Sequence, residues 1–358
     1  MKSQDNQPSP PERPTSRRRF LQALGLAGAA SASAAMPAAH ASPRDEEELV
    51  TVLDLSKCIA CGACVAACKE TNAWKHPEPE HPYPKMYPAR VKVAEWSDKR
   101  EVDDRLTPYT WLYIQSATVE YRGETHEINI PRRCLHCFNP PCANLCPWGA
   151  ARKQSNGIVR IDADICLGGS KCKSVCPWNI PERQTGVGLY RKILPSFAGN
   201  GVMYKCDRCY DRIDQGEIPA CIESCPMEVQ TIGPRKEMVA LAHELADEMG
   251  GFIYGETENG GTGTLYVSPV PFGLLNEAIT KGPGRPGLGP AANSMETAEN
   301  LTWAFLLAPV AGTAAGLLKA GSHLIHEAEH DQHPTAKPRT ARASDPDSTD
   351  SSHGGIEG

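Results

Sequence analysis

Fifteen cysteines stand in this chain of 358 residues, and every one belongs to one of four groups: Cys58, Cys61, Cys64, Cys68; Cys134, Cys137, Cys142, Cys146; Cys166, Cys172, Cys176; and Cys206, Cys209, Cys221, Cys225. Thiolate ligation of metal accounts for all of them at once. The first group is spaced C-x2-C-x2-C-x3-C, and the other three end in C-x3-C-P at Cys146-Pro147, Cys176-Pro177 and Cys225-Pro226. Closely spaced cysteines in a loop wrap three thiolates around one iron-sulfur cube, while the fourth, one helical turn on, points away toward a different cube.

That arrangement is the bacterial ferredoxin run. Two other uses of cysteine compete with it. Disulfide frameworks belong to small domains with an even count, and fifteen is odd. Tetrahedral zinc also takes C-x2-C pairs, but normally joins two separated pairs. Neither explains the repeated C-x3-C-P ending.

The ends of the chain carry two further signals. Ser16-Arg17-Arg18-Arg19-Phe20-Leu21 precedes a modest apolar stretch, and Ala39-His40-Ala41 fits a small-x-small cleavage site, so residues 1–41 read as a twin-arginine export signal. Near the other end, Leu301 to Leu318 holds no charge and is about the minimum length for crossing a bilayer. Lys337, Arg339 and Arg342 beyond it agree with a cytoplasmic end. A Gly/Pro-rich linker, Lys281 to Pro290 and on to residue 300, separates this anchor from the folded body; residues 319–358 read as a disordered polar tail. In the tail His323, His326, His330 and His333 share one helical face, yet the acidic Ser/Asp-rich surroundings favour a solvated extension over a metal site.

Between these ends, residues 42–280 form the body, about 240 residues. A net charge of -6 argues against a nucleic-acid partner, and the mean hydropathy of -0.40 is that of a soluble protein despite the anchor. Strand-like runs at Tyr109 to Gln115, Thr118 to Arg122 and Thr125 to Ile130 interrupt the repeat, with Gly123 in a turn, and Ile158 to Asp162 reads as a short strand. Met238, Leu241, Ala242, Leu245 and Met249 make a helical core stripe over Arg235 to Met249, and Phe252 to Tyr254 with Thr264 to Val267 read as a hairpin.

The cysteine motifs over about Leu53 to Gly233 resemble the four-cluster electron-transfer subunits of bacterial respiratory complexes, the partners of molybdopterin oxidoreductases and membrane-bound nickel-iron hydrogenases. The resemblance implies that group one pairs with group four, and group two with group three. One cluster would be held by Cys58, Cys61, Cys64 and Cys225; a second by Cys206, Cys209, Cys221 and Cys68; a third by Cys134, Cys137, Cys142 and Cys176; the last by Cys166, Cys172 and Cys146 alone. In the third group Gly169 stands where the middle cysteine belongs. Three [4Fe-4S] clusters and one [3Fe-4S] cluster are therefore expected, the alternatives at the last site being a four-iron cluster with water or hydroxide on the open iron, or no cluster.

Lys57, Lys171, Lys173, Lys205, Arg132, Arg133 and Arg208 crowd the cysteines, either offsetting cluster charge or simply solvated, and His136 is expected to be packed or exposed rather than a ligand. The expected fold class is α+β: two ferredoxin-like iron-sulfur modules with inserted β-hairpins, plus a C-terminal transmembrane helix. The expected function is non-catalytic. The chain would relay single electrons between a periplasmic catalytic subunit, hydrogenase or formate dehydrogenase-like, and a membrane quinone-reactive or cytochrome b subunit, on the periplasmic face of the cytoplasmic membrane. A zinc- or disulfide-stabilised binding module is the alternative. A self-contained reductase working at the open iron beside Gly169 lacks any convergent acid, base or nucleophile.

Overall fold

The computed structural model describes residues 47–83, 92–193, 201–296, 308–309, 312–316 and 319, which include all fifteen cysteines. The chain opens with β1 (Leu49–Asp54), whose LVTVLD run is buried almost throughout. Its neighbours are β8 (Gln230–Pro234), antiparallel, and β10 (Thr264–Ser268), parallel; β9 (Phe252–Tyr254) then pairs antiparallel with β10, so the sheet order is β8-β1-β10-β9. Strand alternation sends Val50, Val52, Leu265 and Val267 to one face and Leu53 and Tyr266 to the other. The first face is covered by Met238, Ala242 and Ala246 of the helix Arg235–Met249, at the bounds its apolar stripe predicts. That helix stops where Gly250 turns left-handed (φ 58°) and returns its N–H to Asp247.

The expected hairpin over 252–267 therefore exists, but inside a larger sheet. The earlier insertion forms one long hairpin, β2 (Tyr113–Tyr121) and β3 (Glu124–Arg132), joined by Arg122 and Gly123, both with positive φ. The first two strand-like runs fuse because Ser116, at the apparent break, sits on the outer face and bonds Asn129 at 2.6 Å, while residues 109–112 stay irregular. Two short hairpins, β4 (Ala151–Lys153) with β5 (Val159–Ile161) and β6 (Glu182–Gln184) with β7 (Val202–Tyr204), complete the α+β body.

The other helices are short and mostly carry cysteines: α1 (Ala63–Thr71), α2 (Pro141–Asn144), α3 (Lys171–Ser174), α4 (Leu189–Ile193), α5 (Tyr210–Asp214) and α6 (Ala220–Glu223) precede α7 (Arg235–Met249), and α8 (Phe272–Ala278) follows it. α1 packs on α6, and α2 on α3. The group-one helix thus meets the group-four helix, and the group-two helix meets the group-three helix.

Residues 281–289, read above as the start of a linker, are bound to the body. Arg132, 1 % exposed, donates to the carbonyls of Pro286 (3.0 Å) and Gly287 (2.7 Å). Arg285 pairs with Asp104, and Tyr254 Oη donates to Gly289 O at 2.9 Å. Of the stretch 301–318, only 308–309 and 312–316 are described; they are helical and exposed. Among the described residues no helix is long and apolar enough to cross a membrane. The rest of that expected anchor, the segment 1–41 and the tail histidines lie outside the described residues.

Candidate functional site

Each cysteine group opens with the same turn. The residue two after its first cysteine is left-handed in all four: Ala60 (φ 54°), His136 (50°), Gly168 (64°) and Arg208 (57°). For the three that are not glycine this conformation costs on the order of 1–2 kcal/mol, so the surroundings must impose it. The return lies in the sulfur: the Arg208 amide donates to Cys206 Sγ at 3.3 Å, and the amides of Ala60 and Gly168 do the same for Cys58 and Cys166.

The C-x3-C-P endings repeat as well. Proline ends each short helix, and the third residue after the cysteine is left-handed, whether Gly149 (63°), Asn179 (52°) or Glu228 (50°). A following amide then reaches back to sulfur, from Ala151 to Cys146 Sγ (3.5 Å), from Val229 to Cys225 Sγ (3.4 Å) and from Ile180 to Cys176. Cys68, with no proline after it, lets α1 run on to Thr71.

All fifteen cysteines are thiols; no disulfide framework forms. Cys58, Cys61, Cys64 and Cys225 line one cavity, and Cys134, Cys137, Cys142 and Cys176 line another. Cys68 has Cys206, Cys221 and Cys209 as its charge neighbours, while Cys166 and Cys172 have Cys146. The four sets stand in single file: Cys64 adjoins Cys221, Cys206 adjoins Cys134, and Cys172 adjoins Cys142. Apolar side chains are exposed at both ends of the file, Ile59 and Met227 beside the exposed Cys61, and Leu145 and Trp148 beside Cys146.

Among the described residues no three His, Cys, Asp or Glu side chains converge as one metal ion requires. Four thiolates on zinc, with Zn–S of about 2.3 Å, would lie only about 3.8 Å apart. Sulfurs that ring a cavity suit a larger group. Burial pushes the Cys64, Cys142, Cys172 and Cys206 thiols up to about 12 and Cys176 to about 11, so thiolates here call for cationic partners.

The seven crowding cations divide by burial and by what they bond, Arg132 being buried but committed to backbone carbonyls away from the cysteines. Lys57 is half exposed and pairs with Asp54, Lys173 pairs with Glu182 at 2.6 Å, Lys171 is exposed, and Arg132 serves the 281–289 strap. Arg133, Lys205 and Arg208 are 2 %, 6 % and 2 % exposed and, among the described residues, none pairs with a carboxylate. Arg133 Nη1 lies 2.8 Å from Cys221 Sγ; Lys205 donates to the carbonyls of Val159 and Cys206; Arg208 donates to those of Leu49 and Gly263. Burial disfavours the charge on Arg133 and Lys205, but the thiolates of Cys221 and Cys206, and of Cys134 and Cys142, outweigh it and raise both groups. Buried cations without carboxylate partners are costly unless something anionic stands among them. Thiolate-ligated clusters at the two middle sets fit that demand, since the electrons they carry are added to an anionic group.

His136 is buried, and its Nδ1 accepts the Val159 N–H at 3.0 Å; burial, then Arg208 and Lys205, keep it neutral. It packs, as its place beside four cysteines suggests. Sequence reasoning missed the repeated left-handed turns and Asn72, the residue one helical turn beyond Cys68, although the i, i+4 spacing was there to be read.

Two family profiles, each a 4Fe-4S dicluster domain, match residues 57–150 and 126–235. A protein of Nitratidesulfovibrio vulgaris is 32% identical over 277 residues, covering 74% of this chain and 68% of its own. The hydrogenase-2 operon protein HybA of Escherichia coli O157:H7 is 29% identical over 298 residues, 73% of this chain and 83% of that one. The iron-sulfur subunit of the nitrate-inducible formate dehydrogenase of Escherichia coli K12 is 28% identical over 227 residues, 62% of this chain and 68% of that one.

Proposed function

This chain belongs to the ferredoxin-type electron-transfer subunits of bacterial respiratory oxidoreductases, and on that premise we propose that it relays electrons between a periplasmic catalytic subunit and a membrane partner. The catalytic subunit is hydrogenase or formate dehydrogenase-like, and the membrane partner is a quinone-reactive or cytochrome b subunit. The residues that hold the cofactors are Cys58, Cys61, Cys64 and Cys225; Cys206, Cys209, Cys221 and Cys68; Cys134, Cys137, Cys142 and Cys176, each taking a [4Fe-4S] cluster. Cys166, Cys172 and Cys146 take a [3Fe-4S] cluster. The clusters supply one-electron chemistry; the protein supplies spacing, dielectric and docking faces.

The observation that carries this reading is the single file of cysteine sets with buried, carboxylate-free cations at its middle. Apolar side chains at both ends offer two docking edges. Export through residues 1–41 and anchoring through 301–318 belong to the same proposal. A periplasmic location fits clusters assembled in the cytoplasm and exported with the folded chain.

The deciding experiment is metal analysis of the complex drawn gently from native membranes through this chain. Iron with nickel supports a hydrogenase partner; iron with molybdenum or tungsten supports a formate dehydrogenase-like one. Zinc without iron removes the electron-relay reading.

A further inference from the structure

Asn72 caps the C-terminus of α1 and is 2 % exposed. Its Nδ2 donates to the Cys68 carbonyl at 2.9 Å and lies 3.9 Å from both Cys68 Sγ and Cys209 Sγ. Those two cysteines come from opposite ends of the cysteine pattern, groups one and four.

The amide is held in place from outside. Three residues on, Lys75 Nζ pairs with Asp207 at 2.7 Å and also with Asp211. Asp207 Oδ1 in turn accepts the Cys209 backbone N–H at 3.0 Å. The loop so held contains Arg208 and Cys209 in consecutive left-handed conformations, φ 57° and 50°, which it would not keep unaided. Asn72 from inside and Lys75–Asp207 from outside thus clamp the end of α1 to the loop of group four.

We propose that Asn72 is a positioning residue for the cluster held by Cys68, Cys206, Cys209 and Cys221, and that the amide N–H not given to the Cys68 carbonyl, shared between two thiolates, raises that cluster's reduction potential. The inference rests on the electron-relay reading. Reduction adds negative charge to the sulfurs, so a donor aimed at them stabilises the reduced form more than the oxidised one. A carboxamide does this without the desolvation cost of a further buried charge.

The test is an EPR-monitored potentiometric titration of the complex from native membranes, for the unmutated chain, Asn72→Leu and Asn72→Gln. If the unmutated complex shows no iron-sulfur signal, the relay reading fails, whatever Asn72 does. With signals present, Asn72→Leu is expected to lower the reduced-to-oxidised ratio of one cluster about tenfold at its original midpoint, a 59 mV shift for one electron. The other clusters hold their potentials, and Asn72→Gln recovers part of the loss. Unchanged potentials in a loaded Asn72→Leu complex overturn the proposal. Should that variant not assemble, a complex carrying asparagine labelled with 15N at the side chain replaces it, with Asn259→Ser introduced because the Asn259 amide hydrogen-bonds Cys137 of another set. Nitrogen coupling to one reduced cluster is expected there, and its absence overturns the proposal equally.

Discussion

Gly169 holds in the third cysteine loop the backbone position that Cys61 holds in the first. Each follows the loop's opening cysteine by three residues, each lies between two left-handed residues (Ala60 and Gly62; Gly168 and Ser170), and each precedes by two the helix bearing the next cysteine. The turn survives without the thiol because its amides serve the first cysteine, whichever residue comes later.

A Cβ built on Gly169 meets no atom within 4 Å. Gly169→Cys is therefore expected to fold and to supply the missing thiolate, converting a three-iron site to a four-iron one. Iron per chain should rise by one, and the EPR signal of the oxidised three-iron cluster should vanish. Unchanged iron content would count against a three-iron site there.

Lys205 stands between the two middle sets, with Cys134, Cys142 and Cys206 around it. A unit charge at roughly 10 Å in a medium of effective dielectric about 20 is worth about 1.7 kcal/mol, nearly twentyfold in a reduction equilibrium. Lys205→Met is expected to lower the potentials of both middle clusters by about that much and leave the outer two in place. A titration in which all four move together, or none does, contradicts the assignment.

The His76 ring stands edge-on to Tyr109 (5.7 Å) and Trp111 (5.8 Å), and burial, then Arg100 and Lys69, lower it to about 4. An unfolded imidazole titrates near 6.5. Between those values the unfolded chain binds more protons, so this contribution to stability is complete above about 6.5 and is lost as pH falls toward 4. The unmutated protein should lose more of its thermal midpoint between pH 7 and pH 5 than His76→Gln does; parallel losses would show that His76 contributes nothing to the slope.

Removing the Arg132 guanidinium leaves two strap carbonyls, those of Pro286 and Gly287, without their donor. At about 1–3 kcal/mol for each unsatisfied group, Arg132→Ala should release the strap while the sheet and the cysteine loops stay folded. Limited proteolysis should then cut within 281–290 before anywhere else in the body. Resistance equal to that of the unmutated chain would show that the other strap contacts suffice.

Local pattern was legible and distant pairing was not. The helix Arg235–Met249 was readable because Met238, Ala242 and Ala246 recur on one face, a signal contained within the helix. The four-stranded sheet was not, because Thr51 pairs with Ile232 and Thr264, far along the chain. The cysteine groups announced their chemistry through spacing alone. Which cations matter stayed hidden, because residue type says nothing of burial: Lys57 and Lys205 each adjoin a cysteine, yet only Lys205 lies inside. Glycine and proline over 281–290 read as a linker because composition does not reveal that Arg132 binds the carbonyls.

The single file of cysteine sets has an electrical meaning. Components in series share one current, and no parallel branch bypasses a fault. Under the relay reading, a break at either middle set isolates the two termini from each other, leaving each able to charge but not to conduct. Throughput is then governed by the slowest hop, so the interior sets tolerate little variation. The terminal sets, which include the exposed Cys61 and the half-buried Cys146, end the series on the two sides and carry no such burden.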